Sequence, residues 1–236
     1  ITVPLRGKDA IAFVISSTHI KETKLLVKHA GYALQPIKSV ISDMPIIGQR
    51  QKFFFERVAL HYNIILPLVL KYALPSPTKT FLHFPGLSIP KRFDGSASQR
   101  LMLVPTEAFL SRVASGFNTK EVIVYKKTMP IKEQREIWIK ILRGDPITVV
   151  GLSSALFLPW HNLATIEVFD TYNSLYKSLS SPFFDVNILV QELAHIHGSE
   201  IKQGTMTRHS TKSIAYTLLE DKKAPTRRRQ LDPFSR

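Results

Sequence analysis

Few residues in this sequence have both the type and the spacing for chemistry. Asp170 follows the strand-like run Thr165-Ile166-Glu167-Val168-Phe169, and a carboxylate just past a strand is where a motor ATPase holds magnesium or orients its attacking water. Such an enzyme also needs a Gly-rich loop with Lys to hold phosphates, and no G-x-x-x-x-G-K-[ST] occurs. The Gly-Ser-rich stretch Gly95 to Ser98 lacks the following Lys-Ser/Thr. His161, Asp170 and Ser174 are the residue types of a hydrolytic triad, but no nucleophile elbow accompanies them. His195 and His197 lie two places apart on an expected helix, so their side chains diverge. With no third ligand they read as surface or core histidines, and neither a metal site nor a cofactor is expected.

A second group of residues suits a polyanion. Arg6, Gly7 and Lys8 form a basic turn, and Lys38 is a further cation able to track a phosphate backbone; isolated basic residues of this kind are as often simply solvated. Phe53, Phe54 and Phe55 could stack on bases, yet three consecutive aromatics on a helix mostly supply one or two core anchors. Arg227, Arg228 and Arg229 offer an electrostatic tether. The whole chain supports this: 32 Lys plus Arg against 18 Asp plus Glu give a formal charge of +14, which points to nucleic acid or another anionic surface.

The 236 residues, 44% hydrophobic and 21% charged, suffice for one large or two small globular units. With 0 cysteines, disulfides, Cys-ligated zinc and thiol catalysis are excluded, and a reducing cytoplasm is compatible. The longest apolar run, Ile64 to Leu70, is broken by Pro67 and ends at Lys71, far short of the roughly 20 residues a membrane span needs. The opening ITVPL has no initiator Met and no signal-peptide pattern, so a fragment of a longer chain is expected.

The elements follow from periodicity. ITVPL and AIAFVIS predict two short strands around the turn Arg6 to Asp9. Gln49 to Leu74 changes to helical spacing, and Pro67 predicts two short helices rather than one. Residues 75 to 100, with Pro75, Pro77, Pro85 and Pro90, read as a linker. LMLVP, EVIVYK, ITVVG, TIEVF and EIKQG then alternate with helical stretches such as Ile131 to Arg143 and Val186 to His197, the pattern of an α/β fold with a parallel sheet. The tail KKAPTRRRQLDPFSR is expected to be disordered.

These segments carry a likeness to a known family. The second half resembles the first RecA-like motor lobe of the primosomal protein N′ (PriA) replication-restart helicases. Val150, Gly151, Ser154, Ala155, Leu156, Phe157, Pro159, Asn162, Leu163, Ser174, Tyr176 and Lys177 stand in that family's order and spacing. MLVPTEAFL, EQREIWIKILRGDPITVVG and GTMT (Gly204 to Thr207) are similar to further family segments. In the first half, ITVPLRGKDAIAFVIS and VALHYNIILPLVLKYALP are similar to its 3′ DNA-binding domain, so the likeness covers residues 1 to about 215. The resemblance implies a DNA-binding domain at 1–75, a linker at 76–100, a RecA-like (P-loop NTPase type) lobe at 101–220 and a basic tail at 221–236. The winged-helix insert, zinc-binding region and second motor lobe of the family have no counterpart in these residues.

The resemblance also implies a defect. The family's Asp-Glu-Glu-His box falls on Phe169, Asp170, Thr171 and Tyr172, and the Arg of its Thr-Arg-Ser-Ala on Ser153. A one-residue slip to use Asp170 fails, because strand alternation turns successive side chains to opposite faces. What survives is residues with packing duties. A family Lys of the 3′-end pocket falls on Gln35, and another part of that pocket precedes Ile1. The implied function is a cytoplasmic DNA-binding protein of replication restart that acts on forked or single-stranded DNA, with other primosome proteins as partners and its ATPase site eroded. The alternatives are a non-catalytic part of an ATP-dependent helicase, a structural docking module, or a decaying fragment.

Overall fold

Three segments of alternating side chains set the architecture, because a strand with apolar residues on both faces must be covered on both. In the computed structural model, residues 1–5, 8–14, 36–41, 45–75, 98–116, 122–179 and 181–204 are described. Along β3 (Gln99–Leu103), β5 (Thr148–Gly151) and β6 (Leu163–Phe169), Leu101, Leu103, Val149, Ile166 and Val168 enter one core, while Met102, Val150 and Phe169 enter another. With β4 (Val122–Tyr125) and β7 (Glu200–Gly204) they form a five-stranded sheet in the order β4-β5-β3-β6-β7. All of its pairings are parallel. This is the expected α/β lobe, and its five strands are those the alternation predicted.

Helices cover both faces. On one side lies α3 (Glu107–Ser115), whose Leu110 and Val113 pack on Met102, Val150 and Phe169. Its start is fixed by Thr106, whose Oγ1 accepts a hydrogen bond from the Phe109 N–H at 3.3 Å. The other face buries Trp138 and Ile141 of α4 (Ile131–Arg143) and Leu189, Val190 and Leu193 of α5 (Val186–His197). Both helices end in glycines with positive φ, Gly144 at 80° and Gly198 at 70°, a conformation a side chain resists.

The same core extends to two earlier helices, α1 (Gln49–His61) and α2 (Leu66–Ala73). Of the three consecutive phenylalanines, Phe54 and Phe55 are fully buried and Phe53 is exposed, so two are anchors. Phe157 lies 5.9 Å from Phe54, 6.1 Å from Phe55, 5.1 Å from Tyr72 and 5.7 Å from Phe184, ring centroid to centroid. Two helices form here as predicted, but Pro67 is not the break. The chain turns at Asn63, with φ 49°, and Pro67 sits in the first turn of α2, where its missing N–H costs nothing. The predicted linker lies mostly at 76–97, outside the described residues. On its amino side, α1 and α2 share their core with the sheet.

The amino-terminal β unit is a hairpin, β1 (Thr2–Leu5) antiparallel to β2 (Lys8–Ile11), with Thr2 also bridged to Ser39. Ile11 and Phe13 pack, half-buried, against the large core.

Candidate functional site

In a parallel α/β sheet, ligands gather at the carboxyl ends of the strands. Here that edge is formed by Leu103, Tyr125, Gly151, Phe169 and Gly204. Phe169 is 1% exposed and its side chain lies among Met102, Val104, Leu110, Val113 and Val150. It is packing, inserted between sheet and α3. Asp170 follows in the left-handed region, φ 54°, so its side chain leaves the strand direction. Its carboxylate Oδ2 accepts a hydrogen bond from Asn173 Nδ2 at 2.9 Å, and its carbonyl accepts the Asn173 N–H at 2.9 Å. Asn173 Oδ1 in turn accepts the Leu175 N–H at 3.0 Å. The one acid of the segment is therefore folded into its own turn. Thr171 contributes a carbonyl that accepts Asn187 Nδ2 at 3.2 Å, and Tyr172 is 96% exposed.

A tyrosine closes the edge beneath this turn. The Tyr176 hydroxyl is 2.6 Å from the Phe169 carbonyl oxygen, to which it donates, and 3.1 Å from that of Leu103. It thereby ties the ends of two adjacent central strands. Burial, reinforced by the nearby negative charge of Asp170, pushes its phenol well above the ordinary range, so it stays protonated and keeps its donor.

The neighbouring end of β5 is equally filled. A Cβ on Gly151 would lie 2.7 Å from Ala155 Cβ and 3.2 Å from the Tyr125 carbonyl, so only glycine fits the turn into the 3₁₀ segment Ser153–Phe157. Ser153 hydrogen-bonds the Tyr72 hydroxyl from α2; burial pushes that phenol up. Lys127 lies over the Tyr72 ring, 4.6 Å from its centroid, and donates to the Tyr72 carbonyl; burial lowers its pKa. Among the described residues, Phe169, Asp170, Tyr176 and Gly151 at this end of the sheet each meet another part of the chain. Among the described residues, no three His, Asp or Glu side chains gather as a metal site. The three residues of the imagined triad separate in role: Asp170 binds Asn173, Ser174 begins the 3₁₀ turn Ser174–Tyr176, and His161 precedes β6 at the opposite, amino end of the sheet.

Of the residues expected to touch DNA, Arg6 and Gly7 lie outside the described residues, as does Gln35. Lys8 is exposed at the start of β2, and Lys38 is half-exposed and ion-paired with Asp9. Lys8 and Lys38 therefore share one small hairpin unit. His195 is exposed while both ring nitrogens of His197 are buried, the divergence that their spacing predicts.

Sequence reasoning singled out neither Asn173, Tyr72 nor the role of Tyr176. The Asp-x-x-Asn spacing of 170 and 173 is a readable turn signal. Nothing local announces that Tyr72 meets Ser153, since 81 positions separate them.

No family model matches the sequence. Over 112 residues, 46% of the chain, it is 26% identical to replication restart protein PriA of Bacillus subtilis (strain 168). Over 91 residues, 36% of the chain, it is 29% identical to replication restart protein PriA of Borreliella burgdorferi (strain ATCC 35210 / DSM 4680 / CIP 102532 / B31). Each match spans 14% of the relative's own length. Part of the chain is thus related to PriA, and the parallel sheet agrees with a RecA-like lobe. No helix among the described residues is long and apolar enough to cross a membrane.

Proposed function

We propose that this protein binds forked or single-stranded DNA in replication restart, in the cytoplasm and alongside other primosome proteins, without hydrolysing ATP itself. The observation that carries the second half is the burial of Phe169: in the family frame it takes the place of the magnesium carboxylate, and here its ring fills the core under α3. Asp170, one place on, is committed to Asn173 and could bind a metal only by giving up its turn. The DNA-binding half rests on the relation to PriA and on the charge of +14. In this reading residues 1–75 carry the DNA contacts, 76–100 connect, 101–220 form the lobe and 221–236 add a basic tail.

The contacts we assign are Arg6, Gly7, Lys8 and Lys38. Lys38 exchanges its exposed partner Asp9 for a phosphate, at a cost of no more than about 1 kcal/mol for a surface ion pair. Binding of a fluorescent single strand should weaken with salt at a log–log slope of about −0.7 per phosphate neutralised. A 3′ phosphate should change affinity less than about threefold, because backbone contacts do not sense the terminal hydroxyl. Salt-insensitive binding, or a strong preference for a free 3′ hydroxyl, would contradict the reading. The relatives' length favours a second one, a non-catalytic part of a longer helicase, since the matches cover 14% of each.

A further inference from the structure

Among the described residues β7 pairs with β6 alone, so its outer side is a lateral edge of the sheet. An edge strand presents a row of N–H and C=O groups able to pair with another strand. Its side chains are accessible too: Glu200 and Gln203 are exposed, and Ile201 is 40% exposed. Ile201 ends an apolar row that the register carries across the whole sheet, Ile123, Val149, Leu101, Ile166 and Ile201. Val149, Leu101 and Ile166 are fully buried, and the row stops open to solvent at β7.

The other face of β7 carries charge. Lys202 stands opposite Glu167 of β6, which is ion-paired with Arg100 of β3, and Lys202 Nζ lies 3.2 Å from Glu200 Oε2 on its own strand. A lone lysine on an edge strand repels a second copy of that strand, but an acid two places away on the same face reverses the sign in one register. Two copies related by a two-fold axis perpendicular to the sheet pair antiparallel. A slip of one residue turns the side chains of one copy to the wrong face and sets apolar against charged. Of the registers that keep the faces matched, an axis at Lys202 or at Glu200 opposes like charges. An axis at Ile201 sets Glu200 opposite the partner's Lys202, Lys202 opposite the partner's Glu200, and Ile201 opposite the partner's Ile201. Each carboxylate then lies between two ammonium groups, and the apolar row continues through the axis. The other lateral strand, β4, reads Val-Ile-Val-Tyr and has no charge to fix a register.

We propose that the outer side of β7 is a docking surface for a second copy of this chain, joining two five-stranded sheets antiparallel through Glu200, Ile201 and Lys202. Only positions 199 to 203 pair in this register, far fewer than the about 20–30 residues a side of a stable interface, so the association is weak and reversible. The surface belongs neither to the hairpin bearing Lys8 and Lys38 nor to the strand ends around Phe169, so the dimer and the DNA reading can fail separately.

Sedimentation equilibrium of the full chain over a concentration series should show a monomer–dimer equilibrium. Glu200→Lys and Lys202→Glu, both at accessible side chains, should each weaken it at least about tenfold, because two symmetry-related pairs turn from attraction to repulsion. The two variants mixed in equal amounts should associate with each other, and the double exchange should restore self-association. The chain has 0 cysteines, so Ile201→Cys carries a unique thiol. Directly opposed residues of an antiparallel pair have Cα atoms about 4.5–5.5 Å apart, within the span of a disulfide. Mild oxidation should therefore cross-link Ile201→Cys and leave Gln203→Cys, which faces the partner's Ser199, largely monomeric. A chain that is monomeric at every concentration leaves this edge to another occupant and overturns the proposal. A dimer that both charge variants retain, or that Ile201→Cys fails to cross-link, overturns it as well.

Discussion

Replacing Phe169 with Asp restores on paper the acid that the family frame expects, and it should unfold the protein rather than activate it. The ring is 1% exposed, enclosed by Met102 and Val150 of the sheet and by Leu110 and Val113 of α3. Truncating such a side chain to Ala costs about 3–5 kcal/mol through lost burial and the cavity left behind. Asp adds the desolvation of a carboxylate with no partner, which brings the loss above about 5 kcal/mol, the lower end of what a domain has in total. Tyr172→Asp, at a side chain 96% exposed, is the matched control and should shift stability by no more than about 0.5 kcal/mol. Urea unfolding of the full chain followed by circular dichroism measures both. If Phe169→Asp stays within about 1 kcal/mol of the parent, Phe169 lines an open site and its assignment to the core is wrong.

Gly151→Ala should cost about 1–3 kcal/mol in the same assay, because its Cβ would collide with Ala155 Cβ at 2.7 Å; a neutral substitution would mean the 3₁₀ segment moves freely. Tyr125 is pushed up to about 12 by burial, so above pH 10 the unfolded chain loses its proton while the folded one keeps it. That contribution is complete below pH 10 and lost at about 1.4 kcal/mol per pH unit towards 12; Tyr125→Phe should flatten the alkaline limb, and unchanged limbs would refute it. A fragment spanning residues 98–204 should not fold alone, since it exposes the surface that Phe54, Phe55, Val58 and Val69 bury; a cooperative unfolding transition in it would show that α1 and α2 are dispensable.

The lobe was legible wherever local pattern and global placement agree. The strand at Thr165 to Phe169 alternates, and alternation alone puts Val168 and Phe169 in different cores, as they are. α4 and α5 match their predicted bounds because apolar periodicity, a capping Asp185 and the closing Gly144 and Gly198 coincide. Pro67 was misread as a break because proline is also suited to a helix's first turn, and the true turn at Asn63 is a weaker signal. Proline density at 75–100 suggests a boundary, but whether helices on either side share a core depends on tertiary contacts such as Phe54 with Phe157. The site divides in the same way. The loss of acids at 169–172 is visible residue by residue, whereas the groups that fill the space, Tyr176 and Tyr72, act across distances that periodicity does not encode.

Whether the chain hydrolyses ATP is decided most directly by phosphate release in saturating magnesium-ATP, with and without single-stranded DNA, for the parent and for Asp170→Asn. Asn tolerates the left-handed backbone at this position, where φ is 54°, so the variant removes the carboxylate charge while preserving the turn. The expected result is release at the level of the protein-free control in both proteins, unchanged by DNA. DNA-stimulated release that Asp170→Asn abolishes would contradict the account, because Asp170 would then be the acting carboxylate of a working motor.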